Sequence, residues 1–225
     1  MNHDERRALL ASAMARLPLV AILRGLRPGE AADIGLALEQ AGFALIEVPL
    51  NSPDPFTSIA TLRRVLRPDT LVGAGTVTRL ADVQRLCEIG ADIVVMPHAD
   101  TAVIHAAKAA GLLCVPGIAT PTEAFAAIAA GADALKLFPA ELVTTGVMKA
   151  MRAVLPADMP LLPVGGIVAA NVAPWRRAGA AGFGLGSALY QPGLDAAEVV
   201  ANADEFVRAW RACAAPQATP QRSSS

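Results

Sequence analysis

Apolar and polar positions follow two repeating patterns along the chain. Apolar runs of strand length follow glycines at positions 42, 90, 111, 131 and 179. The segments between the runs place apolar residues about every 3.6 positions, which is the period of a helix. A glycine at such a segment's end is typical of a left-handed helix C-cap. The pattern predicts helices followed by strands, with helices over residues 30–41, 58–66, 80–89 and 122–130.

Eight such strands can be counted. The two longest gaps between the glycines each hold one further strand, "DTLVGAG" and "MPLLPVGG", and "LVAILRG" opens the series. Strands that alternate with helices at roughly 24 residues per unit indicate right-handed βαβ units and a parallel sheet. Eight near-equal units favour a closed (β/α)₈ TIM barrel. An open doubly wound sheet is the alternative, although no G-x-G-x-x-G follows the first strand.

The chain ends differ from this repeat. Residues 1–17 predict an extra helix before the first strand, with Pro18 as its stop. The last residues, "AAPQATPQRSSS", predict a disordered tail over 214–225. We therefore expect one barrel domain over residues 1–213.

Composition narrows the function classes. The chain of 225 residues is 54% hydrophobic and carries a net charge of −1. This balance supports a large core but favours neither nucleic acid nor an anionic membrane as a partner. Small molecules are the expected partners.

The cysteines and the start of the chain predict a cytoplasmic protein. Cys87, Cys114 and Cys213 are widely spaced and lie mostly in apolar runs, so we expect buried thiols in a reducing compartment. The first residues include Asp4 and Glu5 and lack the pattern of a signal peptide. The longest uncharged stretches, 17 residues each, are broken by Gly and Pro and are too short to span a membrane.

One lysine stands inside an apolar strand. The chain has 16 arginines but three lysines, and Lys136 lies within "GADALKLFPAE". Strand alternation puts it on the same face as Ala134 and Phe138. Its stem could pack while its head reaches water or a carboxylate, which would be a structural role. Alternatively, Lys136 is a buried amine with a chemical function.

Other polar residues occur within or at the ends of strands, where such barrels hold their active sites. Glu47 lies in strand 2 on the inner face, Arg24 ends strand 1 and Thr76 ends strand 3. Desolvation and a cation such as Arg24 would lower the lysine pKa from about 10.4 and leave a free amine. Such an amine attacks ketones to form imines, and a nearby carboxylate can move the protons. An internal Glu–Lys ion pair is the structural alternative.

Glycines after the last two strands predict a phosphate site. Gly165 and Gly166 follow strand 7, and Gly186 and Ser187 follow strand 8. Backbone N–H groups can approach an anion closely there, at the usual phosphate position of these barrels. The three histidines and scattered cysteines form no recognisable metal-ligand set, so we expect neither a metal nor a cofactor.

Four motifs together resemble one family. They are "GAGTV" at 73–77, "PGIATPTEA" at 116–124, "LKLFPAE" at 135–141 and "GGI" at 165–167. Over about residues 17–210 the chain resembles the Schiff-base-forming 2-keto-3-deoxy-6-phosphogluconate aldolases. The resemblance implies a metal-independent homotrimer of (β/α)₈ barrels.

The resemblance also implies roles for individual residues. Lys136 would form the Schiff base, and Glu47 would be the general acid and base. Thr76 would lie near the pyruvyl carboxylate. The phosphate would be held by the glycine-rich ends of strands 7 and 8, at Gly165, Gly166, Gly186 and Ser187.

Two departures point to a branch of this family. Asn51 stands where the phosphogluconate enzymes have a carboxylate-binding arginine, and Val164 replaces a threonine before the glycine pair. Arg24 in "AILRG" offers a compensating cation. This combination resembles the galactonate branch, which cleaves 2-dehydro-3-deoxy-6-phosphogalactonate to pyruvate and D-glyceraldehyde 3-phosphate. The alternatives are phosphogluconate or 4-hydroxy-2-oxoglutarate aldolase activity, and a non-catalytic phosphosugar-binding barrel.

Overall fold

Short strands alternate with helices throughout the computed structural model, which describes residues 1–213. The strands are Leu19–Ile22 (β1), Leu45–Pro49 (β2), Leu71–Gly75 (β3), Ile93–Val95 (β4), Leu113–Val115 (β5), Gly117–Ile118 (β6), Leu135–Leu137 (β7), Leu161–Pro163 (β8) and Phe183–Leu185 (β9). The helices are His3–Arg16 (α1), Ala31–Gln40 (α2), Pro55–Val65 (α3), Leu80–Glu88 (α4), Thr101–Ala109 (α5), Pro121–Ala129 (α6), Thr145–Arg152 (α7), Val172–Arg177 (α8) and Ala196–Ala212 (α9). Two 3₁₀ turns, Ala140–Leu142 and Ala169–Asn171, complete the regular elements of this range.

All strand pairings are parallel, as βαβ units require. One sheet has the order β5-β4-β3-β2-β1-β9, and a second has the order β6-β7-β8. β5 and β6 are separated only by Pro116, whose carbonyl accepts a 2.9 Å hydrogen bond from the Lys136 N–H. At the other border, Val164 after β8 forms a bridge with Gly184 of β9. The protein is therefore an α/β fold built on curled parallel sheets.

The core has two layers on opposite faces of the strands. The larger layer lies between strands and helices and contains Ile46, Val48 and Val72. The smaller layer lies on the inner face and contains Val20, Leu45, Leu71, Ile93, Val95, Leu113, Val115, Ala134 and Leu162. Because successive strand side chains point to opposite faces, the polar residues that alternate with the outer layer must face the interior.

Helix α1 packs under the strand starts. Its residues Leu10 and Ala13 belong to the inner core layer. Arg6 forms an ion pair of 3.3 Å with Asp92, whose carboxylate also accepts from Arg63 Nη1 at 2.6 Å. Lys108 holds both oxygens of Asp133 at 2.8 Å. These buried carboxylates, each with a side chain 4% exposed, fix the edge of the fold opposite the strand ends.

Several sequence predictions can be compared with this architecture. The added N-terminal helix is confirmed as α1. The five glycine caps are confirmed, since each glycine has a positive φ between 73° and 105°. The prediction of buried thiols is confirmed for Cys114 but wrong for Cys87, which is exposed because it lies on the outward side of α4, and Cys213 is only partly buried. The predicted tail 214–225 lies outside the described residues. Within residues 1–213, no helix has the length and apolarity to cross a membrane.

Candidate active site

Lys136 is a buried amine in the middle of β7. The residue is 6% exposed, and it lines the interior cavity together with Ala134 and Glu47. Its Nζ lies 4.5 Å from the centre of the Phe138 ring. Burial lowers the pKa of Lys136, the nearby Glu47 opposes that change, and Arg24 lowers the pKa further. The neutral, nucleophilic form of the amine is therefore more favoured in this site than it would be in water.

Glu47 is the matching buried acid, on β2. It is 1% exposed, and its Oε2 has no hydrogen-bond partner among the described residues. Burial raises the pKa of Glu47 from 4.5 to about 7, against the opposing attraction of Lys136 and Arg24. A carboxyl group with such a pKa can both accept and donate a proton near neutral pH.

Gly75 on β3 makes room for this carboxyl group. β2 and β3 pair with Pro49 opposite Gly75, and a side chain at Gly75 would overlap the carboxylate of Glu47. The second glycine of "GAGT", Gly75, is thus explained by the close approach of an acid from the neighbouring strand.

Glu47 and Lys136 face one cavity without forming an ion pair. Within residues 1–213, no nitrogen–oxygen pair of 4.0 Å or less joins them. The predicted inward orientation of both side chains is confirmed by the residues that line the cavity. The arrangement leaves the two reactive groups available to a third molecule rather than to each other.

Arg24 lies at the mouth above this pair. It is exposed, and its Nη1 donates a 2.8 Å hydrogen bond to Oδ1 of Asn51, which follows β2. The next turn is tied in the same way, because the Gly25 N–H donates to Oγ of Ser52 at 2.9 Å. Sequence reasoning treated Asn51 only as a lost arginine and did not foresee this contact, which depends on how two loops meet.

A second cavity, of about 200 Å³, extends from Lys136 to the ends of β8 and β9. It is lined by Arg24, Glu141, Val164, Gly165, Gly166, Gly186 and Ser187, among others. Gly165 and Gly166 have φ values of 106° and 62°, a conformation that favours glycine. The N–H groups of Gly166, Gly186 and Ser187 donate to no acceptor within residues 1–213. Such N–H groups suit an anion.

Not every predicted residue reaches these cavities. Thr76 is outside the residues that line either one in the described range, although it directly follows β3 and has a φ of 56°. Glu141 does line the second cavity and was missed by sequence reasoning. Its motif position carried no signal beyond the resemblance. Within residues 1–213, no group of three or more His, Cys, Asp or Glu side chains is placed to hold a metal ion.

The geometry defines a parallel α/β protein whose site suits the reaction of a lysine amine with an anionic keto compound. The chain belongs to the KDPG and KHG aldolase family, which matches residues 10–204. The family resemblance read from the four motifs is thereby confirmed.

Within this family, the chain is similar to two curated relatives and one solved structure whose names refer to the galactonate enzyme. A Rhizobium meliloti (strain 1021) protein named "Probable 2-dehydro-3-deoxy-6-phosphogalactonate aldolase" is 48% identical over 81% of this chain and 86% of its own. The 2-dehydro-3-deoxy-6-phosphogalactonate aldolase of Escherichia coli (strain K12) is 43% identical, over 87% and 96%. A structure described as "Native KDPGal structure" is 43% identical, with a TM-score of 0.86 over 88% of this chain and 96% of that one.

Proposed function

We propose that the protein is a lyase that cleaves 2-dehydro-3-deoxy-6-phosphogalactonate to pyruvate and D-glyceraldehyde 3-phosphate. The observation that carries the proposal is the pair of buried groups, Lys136 and Glu47, on one cavity, with Lys136 also lining a second cavity whose walls include Gly165, Gly166 and Gly186. Its substrate follows the names of the relatives at 43% and 48% identity.

We also infer that the strands form one closed (β/α)₈ barrel. Counting β5 and β6 as one strand interrupted at Pro116 gives eight strands. The Val164–Gly184 bridge and a 3.0 Å hydrogen bond from Ala181 N–H to the Leu161 carbonyl support pairing between β8 and β9. Closure would make the inner core layer the barrel interior, and residues 1–213 a single domain.

In the proposed mechanism Lys136 is the nucleophile. Its neutral amine adds to the C2 ketone, and the resulting carbinolamine takes up a proton from solvent and loses water to give a protonated imine. Glu47 removes the C4 hydroxyl proton, the C3–C4 bond breaks, and its electrons pass to the imine as D-glyceraldehyde 3-phosphate departs. The resulting enamine takes a proton at C3, and hydrolysis of the imine releases pyruvate and the free amine.

The remaining predicted residues take binding roles in this proposal. Arg24, oriented by Asn51, binds the substrate carboxylate, and Thr76 lies near that group once substrate is bound. Val164 contributes an apolar surface near the reacting carbons. Gly165, Gly166, Gly186 and Ser187 hold the phosphate through backbone N–H groups. No metal or cofactor is required by these steps.

Trapping the imine tests the proposal. Incubation with pyruvate and borohydride should add one reduced pyruvyl group to Lys136, located by peptide mass spectrometry. Lys136→Met should abolish both the adduct and cleavage. Lys149→Met, a change of the same type at an exposed position on α7, should leave both intact. An unlabelled Lys136 would instead favour a non-catalytic phosphosugar-binding protein.

Substrate preference is tested with the two C4 epimers. Cleavage of 2-dehydro-3-deoxy-6-phosphogalactonate should exceed cleavage of the gluconate epimer in kcat/KM. Equal or reversed rates would assign the chain to the phosphogluconate activity of the same family. The homotrimer that the family resemblance implies and the cytoplasmic location that the sequence predicts complete the proposal.

A further inference from the structure

Glu141 lies directly over the glycine turn of the second cavity. It belongs to the 3₁₀ turn Ala140–Leu142, and the Ala140 N–H donates a 2.9 Å hydrogen bond to the Val164 carbonyl. This bond holds the turn against the end of β8. A Cβ atom added to Gly165 would lie 2.7 Å from the Glu141 carboxyl carbon, and one added to Gly166 would lie 2.7 Å from its Cγ. The acidic side chain therefore fills the space above both glycines.

The Glu141 carboxylate has no neutralising partner nearby. Within residues 1–213 it takes part in no side-chain hydrogen bond and in no ion pair of 4.0 Å or less. Arg24 lines the same cavity but is hydrogen bonded to Asn51 instead. A phosphate at the Gly165–Gly166 turn would meet a like charge at close range, and two such groups repel each other.

We propose that Glu141 sets the affinity of the site for phosphate by competing for the Gly165–Gly166 turn. This rests on the proposed function, in which that turn holds the phosphate of the substrate. Glu141 must swing away for the phosphate to bind, and its return favours release of the phosphorylated product. It is a specificity-determining residue that weakens phosphate binding and takes no part in the chemistry.

Glu141→Gln tests this role because it keeps the size and removes the charge. The KM for the phosphorylated substrate should fall about three- to tenfold, which is the order expected for removing one nearby, partly solvated like charge. Hydrogen exchange at C3 of pyruvate, which involves no phosphate group, should be unchanged. Glu141→Asp, which keeps the charge, should stay closer to the parent protein than Glu141→Gln does. Added salt should shrink the difference between parent and Gln variant.

Glu205→Gln is the matched control, since Glu205 is exposed on α9, and it should leave all constants unchanged. An unchanged or higher KM in Glu141→Gln would overturn the proposal, and so would an equal change in pyruvate exchange. The comparison of variants requires that the parent protein cleaves the phosphorylated substrate. A parent without that cleavage would instead refute the proposed function itself.

Discussion

The pKa values of two buried residues, Glu47 and Lys136, are both shifted so that the neutral form is favoured, and burial is the cause in each case. Burial raises the pKa of Glu47 and lowers that of Lys136, because both charged forms lose hydration. Their mutual attraction opposes both shifts but does not cancel them. Near physiological pH, the shifted pKa values therefore favour a protonated carboxyl group and a free amine more than the ordinary values would. Imine chemistry needs these protonation states.

The first prediction concerns the pH dependence of kcat/KM. Glu47 must be ionised to act as a base, and its pKa of about 7 replaces the ordinary 4.5. Activity should therefore fall as pH decreases through about 7, and protonation of Lys136 acts in the same direction. Glu47→Gln should lose roughly 10²- to 10⁴-fold in rate. A flat profile between about pH 5 and 8, with chemistry limiting, would contradict the assignment.

The same shift predicts a change in stability. An acid whose folded pKa is raised stabilises the folded state below its unfolded pKa, and this contribution is lost as pH rises through the folded pKa. For Glu47 the window runs from 4.5 to about 7. The free energy of unfolding of the parent should fall, relative to that of Glu47→Gln, across this window. Denaturant titrations of both proteins at several pH values measure it.

A further prediction concerns the phosphate site. Gly186→Ala should fold normally, because a Cβ there meets no atom within 4 Å, but it should raise the KM for phosphorylated substrate by filling space that the anion needs. Pyruvate exchange should stay constant. Gly146→Ala, on α7 with only an ordinary contact to Thr144, is the control. Equal KM values for the two variants would place the phosphate elsewhere.

How far residues could be assigned from sequence depended on the kind of contact. The inward direction of Lys136 and Glu47 could be predicted because strand alternation fixes which way a side chain points. The position of Glu141 and the contact of Asn51 with Arg24 could not be predicted, because both are set by the path of loops after the strands and no periodic pattern encodes that path. Glu141 lies over Gly165 only because the Ala140–Val164 hydrogen bond brings its turn there.

At the scale of elements, α1 and the strand starts form one connected unit. Asp92 precedes β4 and accepts from Arg6, Arg63 and the backbone N–H of Val72. Removing such a buried acceptor leaves the Val72 N–H without its partner and takes away the anion that pairs with both arginines, which keep only backbone carbonyl acceptors. The sequence predicted α1 as a helix but gave no sign of this anchor, since Asp92 and Arg6 are 86 residues apart.

Asp92→Ala should therefore lower the free energy of unfolding by about 3–5 kcal/mol. Arg16→Ala breaks the exposed Arg16–Asp69 pair, whose side chains are 46% and 42% exposed, and should cost about 0–1 kcal/mol. Chemical denaturation of both variants measures the contrast. Similar losses in the two proteins would mean that Asp92 is not an anchor.

At the scale of the whole molecule, glycine caps mark five of the strands that the sequence predicts, and the other three were recognised as apolar runs without such a cap. The chain's division into a six-stranded and a three-stranded sheet was not predicted. The six-stranded sheet ends at β5 and the three-stranded sheet begins at β6, and only Pro116 lies between these strands. Proline has no N–H and cannot donate a hydrogen bond to a neighbouring strand. The glycine pattern locates strands but does not reveal where hydrogen bonding between them is interrupted.

The proposed assembly gives a prediction at the same scale. Light scattering on the purified protein should give the mass of three chains of 23.1 kDa each. The mass should persist on dilution to assay concentrations. A single-chain mass with full activity would remove the homotrimer from the proposal and leave the catalytic assignments untouched.

Helix α1 also bears on how the protein can be altered. Leu10 reaches the interior cavity that Glu47 and Lys136 line from the opposite end, so the N-terminal helix insulates the reacting groups from bulk water below. Truncation of this segment would admit solvent from that side. The pKa of Glu47 would drift back toward 4.5 and the amine would stay protonated to higher pH. In the proposed mechanism helix α1 thus helps to set the pH at which Glu47 and Lys136 work, and affinity tags or fusions at this end should leave residues 3–16 intact.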